Sequence, residues 1–176
     1  MNISLDGYIN DQAGSAERRY PDLAGLRQTG RMQAAIRTTG AVVRGHHAFG
    51  MGDPDWSAGK YEFQVPIFVL CEQPSKKPPK TAKAPMFTSV TTGIESGIEQ
   101  ARLAAGDEYA TIIGGVGIAQ QPFQASLWDK LQLGIVLGAG TRLFGGSGVV
   151  RIELEKLGTQ DAAGTTYLRY RVLTRR

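Results

Sequence analysis

The chain has 176 residues, of which 41% are hydrophobic and 20% are charged, and it carries a formal net charge of +4. This composition is ordinary for a globular protein, and the single cysteine, Cys71, excludes an internal disulfide and leaves no Cys/His cluster with zinc spacing. The sequence shows neither a signal peptide nor an apolar run of about 18 residues, so we expect one soluble, cytoplasmic domain over residues 1–176 with no metal and no membrane partner.

The first third of the chain begins with a strand, continues in a helical region and returns to a strand. MNISLDGYIN (1–10) is typical of the end of a strand that runs into a turn at Asp6-Gly7. Residues 22–39 have a mostly helical pattern that two internal glycines weaken, so two short helices are expected. Gly40 is the predicted C-terminal cap of the second helix, and AVVR (41–44) is a predicted short strand.

The middle of the chain contains an apolar strand and a basic loop. VPIFVL (65–70) is apolar on both faces, which favours a central parallel strand covered by helices. Residues 72–85 contain four prolines and four lysines and are predicted to form a loop. A basic loop could attract phosphate groups or nucleic acid, but a solvated loop is the simpler interpretation. Because no stacking-aromatic motif accompanies the lysines, we expect no nucleic-acid partner.

Strands and helices continue to alternate after this loop. Thr92 and Glu95 fit a capping box, which predicts a helix from Ile94 to Ala105 that stops at Gly106. The other predicted elements are a strand in PMFTSV (85–90), a buried strand in YATII (109–113), a helix at about 116–124 and a strand from about Lys130.

The C-terminal segment changes to a period of two. Val150, Ile152 and Leu154 alternate with charged residues, and Leu168, Tyr170 and Val172 alternate with arginines. The loop-like stretch GTQDAAGT (158–165) separates the two runs, which predicts an antiparallel hairpin with one solvated face. Together with the preceding alternation, this hairpin predicts an α/β fold with a mixed sheet.

Three glycines directly follow the predicted strand YATII. Gly114, Gly115 and Gly117 stand where a helix begins, and a helix start presents unpaired backbone N–H groups and the positive end of the helix dipole. Glycine lets a ligand approach the backbone closely, so the pattern favours binding of an anion, most often a phosphate or pyrophosphate. The order G-G-x-G matches neither the dinucleotide fingerprint nor a P-loop, so a tight strand-to-helix turn is an alternative interpretation.

A second candidate site lies in VVRGHHAFGMG (42–52). Gly45 also follows a strand, and imidazoles from His46 and His47 could contact a phosphate or a ribose. On a helix these adjacent side chains diverge by about 100° and cannot easily share a metal, and structural histidines are the alternative. Asp6, Asp22, Asp53 and Asp55 are candidate proton donors. An aspartate in a Leu-Asp-Gly turn, as at Asp6, is more simply a turn former.

Six motifs in chain order resemble those of one known family. They are SLDGYI (4–9), GAVVRGHHAFGMGD (40–53), VPIFVL (65–70), IIGGVGIAQQ (112–121), LWDKLQLGIVLGAGTRLF (127–144) and TYLRYRV (166–172). The set resembles the dihydrofolate-reductase-like family, and most closely the C-terminal reductase domain of the bifunctional riboflavin-biosynthesis deaminase–reductase. The resemblance implies a three-layer α/β/α fold with a mixed, mostly parallel central sheet and a C-terminal antiparallel hairpin.

The resemblance also implies a function, which is hydride transfer from NADPH to a small heterocyclic or carbonyl substrate. The cofactor would lie across the carboxyl ends of the sheet. The implied pyrophosphate contacts are Gly114, Gly115, Val116, Gly117 and Ile118 on one side and Gly45, His46 and His47 on the other. The implied adenosine contacts are Cys71 and Glu72. The residues implied to lie near the nicotinamide and substrate are Ser4, Leu5 and Asp6, with Asp6 as the candidate catalytic residue.

Two parts of the chain, residues 46–48 and residue 72, depart from the family pattern. Relatives commonly have Gly-Arg-Arg-Thr where this chain has Gly45-His46-His47-Ala48, and they tend to have Ser, Thr or His in place of Glu72. Arginine would hold the 2′-phosphate of NADPH with a fork of donors, whereas histidine is a weaker partner and glutamate repels it, so NADH is an alternative cofactor. Further expectations are a homodimer, with Tyr167 and Leu173 exposed on the hairpin, and, as an alternative function, a non-catalytic nucleotide-binding descendant of the same fold.

Overall fold

The computed structural model describes residues 2–4, 7–9, 23–46, 61–73, 87–136, 143, 153–162 and 165–173. The chain divides into two compact units, one of residues 34–118 and one of residues 1–33 with 119–176. The expectation of a single domain stays a prediction. Most of the predicted loop at 72–85 lies outside the described residues.

The described residues form eight strands and four helices. In chain order they are β1 (Asn2–Ser4), α1 (Leu23–Gln28), α2 (Gly30–Thr38), β2 (Thr39–Gly45), β3 (Ile67–Leu70), β4 (Phe87–Val90), α3 (Ile94–Ala105), β5 (Tyr109–Ile112), α4 (Val116–Gln124), β6 (Lys130–Val136), β7 (Glu153–Ala162) and β8 (Thr165–Leu173). The bounds predicted for α3 and α4 are confirmed, and so is the start of β6.

The unit of residues 34–118 is built on a parallel four-stranded sheet in the order β4-β3-β2-β5. β3 pairs with β2 and β4, and β5 pairs with the other side of β2. Val42, Val43 and Ile67 on the central strands are fully buried. Helix α3 packs against β2, β3 and β5 and buries Ile98 and Ala101. The prediction of a central parallel strand in VPIFVL is therefore confirmed.

β5 is less buried than its apolar sequence predicts. Tyr109 is 51% exposed, and the other residues of this strand are half-buried. The prediction of a buried strand in YATII is wrong for this reason: β5 stands at the outer edge of its four-stranded sheet, with β2 as its partner on one side.

The capping box predicted at Thr92 and Glu95 is wrong, although the helix itself is present. The N-cap of α3 is Gly93, with a φ of 94°, and no side chain caps the helix. The hydroxyl of Thr92 instead donates a hydrogen bond of 2.8 Å to the hydroxyl oxygen of Ser96. Because the helix begins one residue later than the box requires, Glu95 occupies the second helical position and cannot close the reciprocal bond. The helix ends at Gly106, with a φ of 60°, as predicted.

The two helices before β2 are confirmed, and a threonine separates them. The hydroxyl of Thr29 donates to the carbonyl of Leu26 at 2.7 Å and accepts the amide N–H of Met32 at 3.2 Å. It therefore satisfies a terminal carbonyl of α1 and a free amide at the start of α2.

Gly40 is the second residue of β2 and not the C-terminal cap predicted for it. β2 follows α2 directly, and Thr39 already pairs with Tyr109 of β5. A Cβ atom at position 40 would lie 2.6 Å from the carbonyl oxygen of Ala105 and 2.9 Å from Cβ of Glu108. Gly40 is thus needed for the close approach of β2 to the end of α3.

The other unit contains a mixed four-stranded sheet in the order β1-β6-β8-β7. β1 is parallel to β6, whereas β8 is antiparallel to both β6 and β7. Buried Ile3, Leu26, Leu131, Leu133 and Leu143 contribute to its core. Most strand pairs in the two sheets are parallel, so the predicted mixed, mostly parallel arrangement with a C-terminal antiparallel hairpin is confirmed.

The C-terminal hairpin is longer than predicted. Pairing continues to Ala162 and Thr165, so most of the predicted loop at 158–165 belongs to the strands. A register shift between Lys156 and Gly158 interrupts the ladder. The pattern of a half-buried and an exposed face is confirmed for residues 168–172, but Leu154 is 41% exposed and does not lie on a covered face.

Tyr167 is buried and not exposed as the dimer expectation requires. Its side chain is 3% exposed, and the guanidinium carbon of Arg31 lies 3.7 Å from the centre of its ring. The ring also covers Gly134 on β6, where a Cβ would lie 2.6 Å from Cε1 of Tyr167. Leu173 is 42% exposed as expected, so one of the two proposed interface residues remains accessible.

None of the helices in the described part of the chain is long and apolar enough to cross a bilayer. The predicted cytoplasmic location stays a prediction.

Gly40→Ala should destabilise the protein because the new Cβ meets backbone atoms, which cannot rotate away. We expect the free energy of unfolding to fall by about 1–3 kcal/mol, measured by urea denaturation. Gly30→Ala is the matched control, because a Cβ at Gly30 meets nothing within 4 Å and its φ is not positive. The control should be neutral or stabilising by up to about 1 kcal/mol, and equal losses in both variants would contradict this account.

Candidate functional site

The carboxyl ends of four parallel strands form one edge of the sheet in the unit of residues 34–118. Gly45, Leu70, Val90 and Ile112 end β2, β3, β4 and β5, and we call this the carboxyl edge. The chain moves from β2 to β3 and β4 on one side, whereas β5 lies on the other side of β2. The order therefore reverses between β2 and β5, and such a switch point is where open α/β sheets bind their ligands.

Two glycines come together at this switch point. The amide N–H of Ile113 donates to the carbonyl of Val43 at 2.9 Å, so the ladder continues one residue beyond β5. The chain then passes Gly114, where a Cβ would lie 3.7 Å from the amide nitrogen of Gly45 and 2.9 Å from Cγ2 of Ile118. A Cβ at Gly45 would lie 3.3 Å from Cδ1 of the same isoleucine. Buried Ile118 thus packs the first turn of α4 against both glycines.

Gly115 and Gly117 differ from Gly114, because the packing of the described residues requires neither of them. Both are exposed, a Cβ at either position meets no described residue within 4 Å, and neither has a positive φ. A tight turn therefore explains Gly114 and does not explain the other two. Open space above the backbone at both positions is what a ligand in contact with the main chain requires.

The first turn of α4 supplies hydrogen-bond donors beside this open space. The amides of Val116, Gly117 and Ile118 precede any intrahelical acceptor, and they donate to no other described residue. No acidic side chain stands in this turn. The partial positive charge of the helix start is therefore not neutralised by a carboxylate from the first turn, which favours an anion there.

Cys71 and Glu72 follow β3 at the carboxyl edge, next to β2. Gly45 pairs with Leu70, so Cys71 and Glu72 continue from the strand end beside Gly45. The amide of Cys71 donates to the carbonyl of Val90 at 3.1 Å, and its free thiol is half-buried. Glu72 and His46 are exposed. The structure therefore brings Gly45, His46, Cys71, Glu72 and residues 114–118 to one edge of one sheet.

Ser4 lies in the other unit, as the last residue of β1. Its side chain is 1% exposed, and its hydroxyl oxygen accepts the amide N–H of Tyr8 at 2.8 Å. The amide of Gly7 donates to the carbonyl of Ser4 at 2.9 Å, and Gly7 has a φ of 93°, which confirms the predicted turn. Leu5, Asp6 and His47 lie outside the described residues.

Arg44 and Tyr61 also lie near the end of β2, and neither belongs to the site residues predicted from the sequence. The guanidinium carbon of Arg44 is 5.1 Å from the centre of the Tyr61 ring, within cation–π range. Burial raises the pKa of Tyr61 above the ordinary tyrosine value, the Arg44 cation opposes this rise, and Glu62 adds to it. The sequence signal that could have identified Arg44 is its position directly after three apolar residues, which the structure shows to be buried in β2.

No three His, Cys, Asp or Glu side chains come together as metal ligands among the described residues. The edge is therefore characterised by backbone donors, two open glycines and a few polar side chains.

Similarity to solved structures identifies the fold. A protein from Shewanella sp. PV-4 described as a riboflavin biosynthesis protein matches with a TM-score of 0.74 and 18% identity, over 99% of this chain and 97% of its own. A pyrimidine reductase-like protein from Corynebacterium diphtheriae matches with a TM-score of 0.60 and 14% identity, over 99% and 90% of the two chains.

A third match is the diaminohydroxyphosphoribosylaminopyrimidine deaminase/5-amino-6-(5-phosphoribosylamino)uracil reductase of Thermotoga maritima, with a TM-score of 0.62 and 11% identity. It is covered over 55% of its length, so this chain spans about half of that bifunctional protein. These matches show that the 176-residue chain itself has the dihydrofolate-reductase-like fold. The resemblance stated from the six motifs is therefore confirmed at the level of the fold. No protein-family model matches the sequence, and no curated protein sequence matches it either.

Tyr61→Phe should stabilise the protein, because the Tyr61 hydroxyl is buried and has no hydrogen-bond partner among the described residues. We expect the free energy of unfolding to rise by about 1 kcal/mol at neutral pH. Since the pKa of Tyr61 is raised in the folded state, its ionisation does not affect stability below the ordinary tyrosine pKa, and the free energy of unfolding falls as pH rises above that value. The variant should lack this alkaline loss.

The measurement is urea unfolding of both proteins at neutral pH and at several alkaline pH values. Tyr170→Phe is the control, since Tyr170 is only half-buried, and it should change stability by less than about 0.5 kcal/mol. An alkaline loss of equal size in wild type and Tyr61→Phe would contradict the assignment.

Proposed function

We propose that this protein is a reductase that transfers a hydride from a nicotinamide dinucleotide to a small heterocyclic or carbonyl substrate. Related chemistry is that of 5-amino-6-(5-phosphoribosylamino)uracil reductase, named in one of the matching structures. The fold supports the proposal, and so does the position of the carboxyl edge at a switch point of the parallel sheet.

The observation that carries the proposal is the open glycine pair at the start of α4. A diphosphate requires several backbone donors and no side chain between them and the ligand. Val116, Gly117 and Ile118 supply the donors, and the empty Cβ positions of Gly115 and Gly117 supply the space. The residues of this turn therefore fit the diphosphate of a dinucleotide. We assign the other side of the diphosphate to Gly45, His46 and His47, of which His47 lies outside the described residues.

A bound nicotinamide would supply the hydride, and the chain would supply binding, orientation and exclusion of water. We assign Cys71 and Glu72 to the adenosine. Ser4, Leu5 and Asp6 are assigned to the substrate side, with Asp6 as the group that supplies a proton. NADPH is the cofactor that the family resemblance implies, with NADH as the alternative.

A second candidate function is a nucleotide-binding protein without turnover. It is favoured by His46 and Glu72, which replace residues that the resemblance implies for gripping a phosphorylated cofactor. Cofactor oxidation in the presence of pterin, pyrimidine and quinone panels distinguishes the two. Binding without oxidation of the cofactor by any panel member would favour the second candidate.

Homodimer formation is a further proposal, and the hairpin limits how it can occur. Leu154 pairs with Val172 and Leu173 pairs with Glu153, so exposed Leu154 and Leu173 lie on opposite faces of the hairpin. They do not form one apolar patch. Light scattering measures the mass in solution, and a monomer at micromolar concentration would remove this proposal.

Gly115→Asp should weaken binding of both NADPH and NADH about 10–100-fold, because it places a carboxylate where the diphosphate is expected. Fluorescence titration measures the two dissociation constants, and thermal unfolding checks that the fold is retained. Leu103→Asp is the matched control, since the variant adds the same charge at a residue that is 79% exposed near the C-terminal end of α3. Equal affinities in wild type and Gly115→Asp would refute the placement of the diphosphate.

A further inference from the structure

We infer that Glu72 makes this protein selective for a dinucleotide with an unphosphorylated adenosine ribose, so that NADH binds more tightly than NADPH. The inference rests on the proposed function and specifies its cofactor. It is drawn from the order of the strands, the position of Glu72 at the carboxyl edge and the charges of the described residues around it.

The strand order places Glu72 at the ribose position of a nucleotide-binding sheet. In dinucleotide-binding sheets, an acidic residue that follows the first strand-to-helix glycine turn by about 20 residues binds the 2′-hydroxyl of the adenosine ribose. Here Gly45 ends β2 at the switch point, β3 is the next strand, and Glu72 follows the end of β3 by two residues. Because Gly45 is the register partner of Leu70, the two strand ends are level.

The distance along the edge fits a dinucleotide. β5, which leads into the glycines at the start of α4, is separated from β3 by β2 alone. Neighbouring strands are about 4.8 Å apart, so the two strand ends are separated by about 10 Å. A similar distance separates the diphosphate of a dinucleotide from the far side of its adenosine ribose. β5 is the outer strand of this sheet, so β2 and β3 are the strands along which the ligand would extend within this unit.

Among the described residues, the charge next to β3 at this edge favours hydroxyls over a phosphate. A carboxylate accepts hydrogen bonds from the 2′- and 3′-hydroxyls of a ribose, whereas it repels a 2′-phosphate. Glu72 is exposed, so its carboxylate is accessible to a ligand at the edge. A Cβ at Gly45 would point toward Ile118, and successive residues of a strand point to opposite faces of the sheet. The side chain of Arg44 is therefore on the other face, where it packs over Tyr61 and away from Ile118 and the open glycines.

The test compares dissociation constants of NADH and NADPH by fluorescence titration, for wild type, Glu72→Gln and Glu108→Gln. Glu108→Gln removes the same charge from an exposed position at the opposite end of β5 and serves as the matched control. We expect wild type to bind NADH at least tenfold more tightly than NADPH. Glu72→Gln should reduce that ratio at least tenfold, chiefly by tighter binding of NADPH, and Glu108→Gln should leave it unchanged.

The outcomes separate this inference from the proposed function. If neither cofactor binds at millimolar concentration, the proposed function fails and the inference fails with it. If both bind but wild type prefers NADPH, or if Glu72→Gln leaves the ratio unchanged, the inference is overturned and the reductase proposal stands. Adenosine 5′-diphosphoribose and its 2′-phosphorylated form, titrated in parallel, should reproduce the ratio, because the selectivity resides in the adenosine half.

Discussion

The candidate site depends on the close approach of two stretches of backbone, at Gly45 and at Gly114. Ile118 fills the space beside both glycines, and neither position has room for a Cβ without displacing it. This packing fixes the first turn of α4 at the end of β2, where the strand order reverses. The donors of that turn are consequently oriented by buried apolar contact and not by a flexible loop. An anion site made in this way needs little reorganisation when its ligand arrives.

Much of the secondary structure follows from local pattern, because burial imposes a periodicity that the sequence records. The apolar positions of α3 and the apolar run of β3 were sufficient to predict both elements. The errors arise where the outcome depends on neighbours. The exposure of β5 is set by its place at the edge of a sheet, and the start of α3 is set by the backbone of Gly93 and not by the hydroxyl of Thr92.

The glycines after β5 show the same limit at the site itself. Their spacing predicted a helix start that could receive an anion, but it did not distinguish the glycine required by packing from the two that leave open space. That distinction needs the positions of Ile118 and Gly45, which come from distant parts of the chain. The pairing of Arg44 with Tyr61 is likewise a contact between segments, and the sequence offered only a charged residue at the end of an apolar strand.

A fold shared at 18% identity or less preserves backbone geometry better than side-chain chemistry. Features made by the main chain, such as amides at a helix start, can therefore persist while the residues around them change. His46 and Glu72 are positions at which the resemblance implies other side chains. For this reason, the shared fold does not by itself specify a cofactor.

The outer strand β7 has consequences for the behaviour of the protein at high concentration. It has ten residues, and among the described residues it is the outer strand of its sheet, with β8 as its partner on one side. Glu153, Glu155, Lys156 and Asp161 lie along it, and the register shift near Gly158 bends its ladder. Charges and bulges at such an edge discourage the stacking of sheets from different molecules. The charges and the register shift along β7 therefore oppose the addition of strands from other molecules and the growth of fibrous aggregates.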